Sequence, residues 1–264
     1  MSSFLDKILE AKKAEIAQSK QLTAFDKVKQ QAVVRSDYRG FKKSMDQSGV
    51  RIIAEIKRAS PSKGDIRSDL SPSQLAGAYE RGGAAALSVL TEPAFFKGSV
   101  QDFRQARSSV KLPVLRKDFI IEPYQVYESA AIGADAILLI VRILDDENLH
   151  ALYHLAKDIG LDVLVEVFDL RDAERATALN ADLIGINNRD LAYFSTDVNQ
   201  AVRIAAVLPE GTATVAASGI HTVADITFNL RNDIRRFLIG ESLVKQGDPE
   251  ATLREWRSQC VCTD

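Results

Sequence analysis

An acidic and a basic side chain lie two positions apart at the end of an apolar segment, and they are the first residues here that could perform chemistry. In residues 52–62, IIAEIKRASPS, Glu55 and Lys57 follow Ile53 at alternate positions. Side chains two apart on a strand point the same way, so the carboxylate and the ammonium project from one face. Burying these charges costs free energy. This leaves two readings: an ordinary ion pair at a strand end, or a functional pair that moves protons or holds an anion.

Other polar residues end apolar segments in the same way. Lys117 follows LPVLR at 112–116, Glu166 is the only charge within VLVEV at 163–167, and Asn187 ends LIGIN at 183–187. An ammonium group can donate a proton and a carboxylate can accept one. Any one of these residues alone is more often a solubility residue at a strand end. Their chemistry therefore depends on whether the fold brings them together.

Short β-rich segments alternate with longer amphipathic ones along the chain. The strand candidates are residues 52–57, 85–90, 112–116, 135–141, 162–167, 183–187, 214–218 and 236–240. Helical patterns lie near residues 72–82, 100–109, 122–132, 145–159, 169–180, 197–207, 221–230 and 249–257. An extra helix, from residue 3 to about residue 32, precedes the first strand.

This alternation of strands and helices favours parallel βα units. Eight such units in about 250 residues match a closed (β/α)8 barrel, the α/β fold called the TIM barrel, with an open doubly wound sheet as the alternative. No linker or composition shift divides the chain, so we expect one domain over residues 1–264, with residues 1–45 as an N-terminal helical extension whose helix lies across one end of the barrel. Because catalytic residues of such barrels lie at the carboxyl ends of the strands, Lys57, Lys117 and Glu166 would converge on one mouth.

Two glycine-containing turns predict a phosphate site at the same mouth. Ser218 and Gly219 are expected to open a helix after the seventh strand, and Gly240 and Glu241 to open a turn after the eighth. Glycine lets the backbone approach a ligand closely, and helix N-termini present unpaired N–H groups to anions. Each glycine alone is weak evidence, since turns need glycine anyway. Together, in the loops that commonly bind phosphate in these barrels, they predict a phosphorylated small-molecule ligand.

The composition argues against several classes of partner. The 264 residues are 46% hydrophobic and 27% charged, with a net charge of −2. No basic run indicates a nucleic acid or a membrane surface, and the acidic residues within positions 1–20 argue against a signal or transit peptide. Cys260 and Cys262 are interpreted as free thiols in a reducing compartment, so a cytoplasmic location is expected. His150 and His154 lie four apart on a predicted helix with no third ligand in view, so no metal site is expected.

Several motifs resemble those of the indole-3-glycerol phosphate synthase family of tryptophan biosynthesis, from about residue 3 to residue 258. The segments at 53–64 (IAEIKRASPSKG) and 112–128 (LPVLRKDFIIEPYQVYE) are close to diagnostic. The others are SVLTE at 88–92, FFKGS at 95–99, GADAILLIV at 133–141, VLVEV at 163–167, GINNRDL at 185–191, ASGI at 217–220 and FLIGESL at 237–243. The fold implied by this resemblance, a (β/α)8 barrel with an extra N-terminal helix, agrees with the periodicity.

The resemblance implies closure of the indole ring of 1-(2-carboxyphenylamino)-1-deoxyribulose 5-phosphate, with loss of CO2 and water. It implies that Lys117 is the acid that polarises the ketone and that Glu166 is the acid–base partner for the later dehydration. Lys57, oriented by Glu55, would hold substrate anions. The other implied site residues are Asn187, Arg189, Ser60, Phe96 and Phe119 around the anthranilate end, and Ser218, Gly219, Gly240 and Glu241 around the phosphate, with Asn187 and Ser218 counted among the catalytic residues. No metal or organic cofactor is implied, because the substrate's own amine supplies the electrons.

One position departs from the family pattern. The family usually has a glutamate where this chain has Ala217, directly before Ser218, so a carboxylate near the mouth is missing. The change bears on turnover and on the proton network. It also leaves open the alternative that this protein is a catalytically silent relative, which binds phosphosugars or supports a pathway partner. Another phosphosugar isomerase or cyclase on the same barrel is the second alternative. We expect a monomer or a weak homodimer.

Overall fold

Eight parallel strands form the centre of the fold. The structure is a computed structural model that describes residues 4–67, 69–190 and 195–260. Each barrel strand pairs with the next, and the last pairs with the first, so the sheet closes. The strands are β1 (Arg51–Ile56), β2 (Ala86–Leu90), β3 (Val114–Lys117), β4 (Ala136–Ile140), β5 (Asp162–Val167), β6 (Leu183–Asn187), β7 (Ala213–Ala217) and β8 (Arg236–Ile239). The predicted (β/α)8 barrel is confirmed, and the open doubly wound sheet is excluded.

Alternate residues of each strand divide between two apolar cores. Ile53 of β1 and Leu164 of β5 belong to the core inside the barrel, whereas Val163 packs in the core between the barrel and its helices. Both faces of the sheet are covered, which explains why the strands read as nearly continuous apolar segments. The same alternation directs Glu55 and Glu166 toward the interior at the carboxyl ends of their strands.

Helices surround the barrel and begin at side-chain caps in several places. Ser71, Ser99, Asp145, Asp169 and Thr222 each accept a hydrogen bond from a backbone N–H group in the first turn of the helix that follows. These bonds satisfy donors that an uncapped helix leaves unpaired. The helices are α1 (Phe4–Leu22), α2 (Phe25–Val33), α3 (Phe41–Met45), α4 (Pro72–Arg81), α5 (Pro93–Phe96), α6 (Val100–Ser109), α7 (Pro123–Ile132), α8 (Asp146–Asp158), α9 (Leu170–Ala178), α10 (Gln200–Ala205), α11 (Val223–Leu230), α12 (Glu241–Val244) and α13 (Pro249–Cys260).

The N-terminal extension differs from the single helix predicted from residue 3 to about residue 32. Ala24 adopts an extended conformation (φ −58°, ψ 145°) and separates α1 from α2. This break lets α2 pack along α7, where the ring of Phe25 lies 6.3 Å from that of Tyr124 and 5.5 Å from that of Tyr127, measured between ring centroids. The prediction of one continuous helix was wrong because this aromatic contact, which no local pattern indicates, sets the direction of α2.

The extension reaches both ends of the barrel. Phe41 and Met45 of α3 are fully buried and join the interior core. The backbone N–H of Lys42 donates to Asp162, the first residue of β5, so α3 lies at the amino ends of the strands. α1 instead reaches the opposite end, where Phe4 and Ile8 line the cavity described below. The helices α1 and α3 of the extension therefore lie at opposite ends of the barrel.

The predicted strands lie within two residues of the observed ones, and smaller elements were not predicted. Residues Ala59–Ser60 pair antiparallel with Gly64–Asp65 in a hairpin after β1, and Val141–Ile143 form a 3-10 turn. α11 begins at Val223 rather than at Ser218 and Gly219, because Thr222 and Asp225 form a capping box. The prediction that Ser218 and Gly219 open this helix was wrong.

Two further expectations concern the surroundings of the protein and its cysteines. Within residues 4–67, 69–190 and 195–260, the longest helices are too short or too polar to cross a membrane. Cys260 is buried at the end of α13. Cys262 and Leu191, which ends one of the family-like motifs, lie outside the described residues.

Candidate active site

A cavity opens at the carboxyl ends of the barrel strands. Its lining combines charged, hydroxyl and aromatic side chains, which is typical of a site for a small molecule. Every site residue predicted from the sequence lines it: Glu55, Lys57, Ser60, Phe96, Lys117, Phe119, Glu166, Asn187, Arg189, Ser218, Gly219, Gly240 and Glu241. The structure therefore brings these residues together, while the individual roles assigned to them stay predictions.

Glu55 and Lys57 form an ion pair on the wall of the cavity. The Nζ of Lys57 lies 2.6 Å from Oε1 of Glu55, which is 4% exposed. Gly240, in the loop after β8, packs against the same carboxylate: a Cβ at position 240 would lie 2.5 Å from Oε1 of Glu55. Any side chain there would displace the carboxylate from Lys57. Gly240 thus has a steric reason to be glycine that is independent of phosphate binding.

A second set of polar groups connects β3, β5 and β6. Oε2 of Glu166 lies 3.4 Å from Nζ of Lys117, and Oε1 accepts a hydrogen bond of 3.2 Å from Nδ2 of Asn187. The backbone N–H of Arg189 donates to Oδ1 of Asn187 at 3.0 Å and so fixes the orientation of its amide. An ammonium donor and a nearly buried carboxylate therefore lie within reach of one reacting group, which is the geometry that proton transfer needs.

Arg189 connects three loops at the rim of the cavity. Its Nη1 donates to Oγ of Ser62, after β1, at 2.8 Å, and its Nη2 lies 3.9 Å from Oε2 of Glu241, after β8. Glu241 also pairs with Lys245 at 2.7 Å. Burial works to raise the pKa of Glu241, but Lys245, Lys63 and Arg189 outweigh it and hold the pKa below its ordinary value. The loops after β1, β6 and β8 are thus joined by charged groups above the cavity.

The predicted phosphate-binding turn after β7 has an unusual backbone. Ser218 (φ 67°) and Gly219 (φ 76°) both lie in the left-handed region, which a serine seldom adopts. A Cβ at Gly219 would also lie 2.8 Å from Cγ2 of Thr196, so the chain passes too closely for a side chain. Nδ2 of Asn188 donates to the carbonyl of Ser218 at 3.0 Å and holds the turn. Any anion contacts here would come from a loop, since α11 starts farther along the chain.

A histidine joins the two glycine turns. Nδ1 of His221 lies 2.7 Å from Oγ of Ser242, and that hydroxyl donates to the carbonyl of Ile220 at 2.8 Å. Both His221 and Ser242 line the cavity. The loops after β7 and β8 are thereby held side by side, which is the arrangement that a shared phosphate site requires.

The opposite side of the cavity is largely apolar. The rings of Phe96 and Phe119 lie 6.2 Å apart, measured between centroids, and α1 adds Phe4 and Ile8. Ser60 lies at the same wall, and its buried hydroxyl has no hydrogen-bond partner within the part of the chain that the structure describes. A buried polar atom without a hydrogen-bond partner costs free energy.

The cavity residues that sequence reasoning did not predict include Phe4, Ile8, His221 and Ser242. His221 directly follows the ASGI segment and could have been found as the next residue of that loop. Phe4 and Ile8 carry no such signal, because the pattern of α1 is that of any amphipathic helix. Nothing local in the sequence connects that helix with the mouth of the barrel.

The two histidines of α8 are not part of the cavity. His150 and His154 are both exposed, with ring centroids 4.2 Å apart. Among the described residues, His, Cys, Asp and Glu side chains form no group of three or more that could hold a metal ion. The planes of the two rings are tilted by 52° to each other.

The chain resembles known proteins both in sequence and in structure. The family model described as indole-3-glycerol phosphate synthase matches residues 5–256. A protein of Desulfosudis oleivorans named indole-3-glycerol phosphate synthase is 47% identical over 259 residues, which cover 97% of this chain and 98% of the relative. A protein of Bordetella pertussis with the same name is 42% identical over 257 residues, covering 96% of this chain and 98% of the relative.

Solved structures resemble the chain at much lower identity and so show the fold alone. 3-Hexulose-6-phosphate synthase of Salmonella typhimurium has a TM-score of 0.64 at 13% identity, covering 80% of this chain and 98% of that one. Thiamine phosphate pyrophosphorylase of Pyrococcus furiosus has a TM-score of 0.58 at 16% identity, covering 79% of this chain and 94% of that one.

Proposed function

The chain belongs to the indole-3-glycerol phosphate synthase family, and from this premise we propose how its cavity performs the family's reaction. That reaction closes the indole ring of 1-(2-carboxyphenylamino)-1-deoxyribulose 5-phosphate with loss of CO2 and water, so the protein is a lyase of tryptophan biosynthesis. The observation that carries the proposed roles is the contact of Glu166 with both Lys117 and Asn187, beside the Glu55–Lys57 pair.

The substrate has an aromatic end and a phosphate end, and the cavity offers a matching wall for each. We place the anthranilate ring against Phe96 and Phe119, with the free hydroxyl of Ser60 and the guanidinium of Arg189 nearby for its carboxylate. The phosphate lies between the turns at Ser218–Gly219 and Gly240–Glu241, where His221 supplies a further polar group. This orientation leaves the ketone between the two ends, next to the lysines.

Ring closure is the step assigned to Lys117. The ring carbon that carries the carboxylate attacks the ketone carbon, and the ketone oxygen takes a proton from the ammonium group. Electrons of the aryl amine drive this attack. The bond to the carboxylate then breaks, CO2 leaves, and its bonding electrons restore the aromatic ring. A positioned acid of this kind contributes about 10²- to 10⁴-fold to the rate.

Dehydration is the step assigned to Glu166. The new hydroxyl leaves as water after it receives a proton, again pushed by the nitrogen electrons. Glu166 removes the proton from the adjacent CH2 group, which completes the indole. Lys57, held by Glu55, binds the substrate anions and donates a proton to the departing hydroxyl. Asn187 orients Glu166 through its amide, and Ser218 is the remaining residue assigned to this proton network.

The oligomeric state and the cellular location of the protein are also proposals. A single chain supplies every wall of the cavity, which supports a monomer or a weak homodimer, because no second copy is needed to complete the site. The composition supports a cytoplasmic location. Sedimentation velocity over a range of protein concentrations tests the first assignment: a tight higher oligomer would contradict it.

The test of the proposed roles compares two lysine variants. Wild-type protein is mixed with the carboxyphenylamino substrate, and product formation is followed by indole fluorescence. Lys117→Ala is expected to lose turnover by about 10²- to 10⁴-fold while substrate still binds, because the acid for ring closure is gone. Lys57→Ala is expected mainly to raise KM and to slow a later step.

Three results would contradict the proposal in different ways. Near wild-type turnover in Lys117→Ala would remove this residue from the acid role. Consumption of phosphoribosylanthranilate instead of the carboxyphenylamino substrate would indicate an isomerase. A folded wild-type protein that binds the substrate without turnover would indicate a silent relative, as the missing glutamate at Ala217 allows.

A further inference from the structure

A lysine is buried outside the cavity, between α1 and the segment that follows β3. Lys12 is 1% exposed, and its Nζ lies 2.7 Å from Oδ1 of Asp118 and 2.6 Å from Oε2 of Glu15. Lysine is seldom fully buried in a folded protein, because removing its charge from water is costly. None of the steps described above uses this group.

Asp118, the partner of Lys12, is bonded at both oxygens. Oδ2 accepts from Oγ1 of Thr91 at 2.5 Å and from Nη2 of Arg116 at 3.2 Å, and Oδ1 accepts from the backbone N–H of Phe119 at 2.8 Å. Burial works to raise the pKa of Asp118, but Arg116 and Lys12 outweigh it and hold the pKa below its ordinary value. The side chain is therefore a charged and fully bonded anchor.

The position of Asp118 in the chain connects this anchor with the cavity. Its two neighbours, Lys117 and Phe119, both line the cavity, whereas Asp118 faces the opposite way, into the cluster with Arg116. Fixing the carboxylate of Asp118 fixes the backbone from which the two cavity residues project. A shift of the anchor would move the ammonium of Lys117 relative to Glu166, from which it lies 3.4 Å.

We propose that Lys12 is a positioning residue for the ring closure: from the N-terminal helix, it holds Asp118 in place and so aligns Lys117 with the substrate ketone. The inference rests on the role of Lys117 under the proposed function. It makes α1 part of the catalytic apparatus through a charge contact, in addition to the two apolar side chains that α1 contributes to the cavity wall.

Attachment of α1 alone does not explain a buried charge at this place. Lys20, also on α1, pairs with Glu122 in the same segment at 2.5 Å, and those two side chains are 45% and 31% exposed. Ile8 adds buried apolar contact on the same helix. A buried ion pair is often no more stabilising than apolar residues of similar volume, so its retention is better explained by the geometry that it imposes.

The experiment compares Lys12→Met, Lys12→Arg and Lys20→Met with the wild type. Steady-state kcat and KM are measured at a temperature at which far-UV circular dichroism shows each variant to be folded. Lys12→Met is expected to lower kcat by about 10- to 100-fold, because small displacements of a catalytic group have effects of this size. KM should change by less than kcat, since Phe119 is the only residue of the proposed binding walls that adjoins Asp118 in the chain.

The other two variants separate positioning from general stability. Lys12→Arg keeps the cation and is expected to recover most of kcat. Lys20→Met removes the exposed ion pair between the same two elements and should leave kcat unchanged. A merely structural role predicts a lower melting temperature for Lys12→Met with wild-type kcat in the folded protein, and that result would overturn the proposal.

A double variant covers the case in which Lys12→Met does not fold. Lys12→Met/Asp118→Asn removes both buried charges, and the proposal predicts the same lowered kcat as in Asp118→Asn alone, because the two residues act through one contact. Wild-type kcat in the double variant would overturn the proposal. Failure of the underlying assignment looks different: Lys117→Ala would then remain active, whatever the Lys12 variants do.

Discussion

At the scale of single residues, Glu166 combines burial with two polar contacts inside an apolar strand. It is 5% exposed and meets Lys117 on one oxygen and Asn187 on the other. Glu166→Gln keeps the shape of the side chain but removes proton transfer, and its single amide oxygen accepts from only one of the two donors, Lys117 or Asn187. We expect a folded variant that binds substrate, with turnover lowered by about 10²- to 10⁴-fold. Stopped-flow fluorescence gives turnover, and calorimetry gives binding.

The control for this prediction is Glu174→Gln, the same chemical change at an exposed position on α9. Glu174→Gln should alter neither turnover nor substrate binding. If Glu166 were only the structural partner of Lys117, Glu166→Gln would lower the melting temperature and keep most of its activity in the cold. That outcome would mean that a residue other than Glu166 is the base in the dehydration.

Ala217 is the residue at which the chain departs from the family pattern. It is 4% exposed, lines the cavity and lies opposite Asn187 in the pairing of β6 with β7. We expect Ala217→Glu to stay folded and to change the pH dependence of turnover, because the new carboxylate would stand beside the amide that orients Glu166. Ala217→Gln, which has nearly the same size without the charge, should leave the profile as it is. Identical profiles for all three proteins would place this position outside the proton network.

At the scale of elements, the turns after β7 and β8 leave no space for side chains. We expect Gly219→Ala and Gly240→Ala to weaken binding of inorganic phosphate at least about tenfold by calorimetry, with the fold retained. The first adds a Cβ at a φ of 76° and against Thr196, and the second pushes into Glu55. Gly247→Ala is the matched control, because a Cβ there meets no atom within 4 Å. Unchanged affinity in both variants would contradict the assigned phosphate site.

The barrel strands could be predicted because their signal is local. Each is a short apolar segment bounded by turns. Because successive side chains of a strand point to opposite faces, the sequence also predicts which ones face inward, as for Glu55 and Glu166. The break at Ala24 had no such signal, since neither glycine nor proline marks it. It depends on the docking of Phe25 against α7, a contact between distant parts of the chain that periodicity does not contain.

The same distinction separates the predicted from the unpredicted parts of the site. Residues at the carboxyl ends of strands were found, because the barrel itself assigns them to one mouth. Lys12 was not found, because a lysine in an amphipathic helix is normally solvated. Its partner, Asp118, also lies far away in the sequence. Its burial becomes visible only when α1 is seen to pack over the segment that contains Asp118.

At the scale of the whole molecule, Asp135 fastens the N-terminal extension to the barrel. It is 1% exposed, pairs with Arg35 at 2.7 Å and accepts from the backbone N–H groups of Arg39 and Val114. We expect Asp135→Ala to lower the free energy of unfolding by about 3 to 5 kcal/mol, because it leaves the buried Arg35 without this partner. Urea unfolding followed by circular dichroism measures the change.

Asp37→Ala is the control, because Asp37 pairs with the same arginine at the same distance of 2.7 Å but its side chain is 66% exposed. Asp37→Ala should lower the free energy of unfolding by less than about 1 kcal/mol. Equal losses in the two variants would mean that burial does not decide the strength of this attachment. Turnover per folded molecule should be unchanged in both, since neither residue lines the cavity.

The pairing of β8 with β1 joins opposite ends of the chain: Ile53 lies beside Leu238. During translation, β1 leaves the ribosome long before β8. Until β8 arrives, β1 and β7 are open edges whose backbone groups can pair with another nascent chain. Glu55 meets Gly240 only when this seam closes. The last barrel strand to be synthesised therefore completes the catalytic centre and removes the exposed edges in the same event.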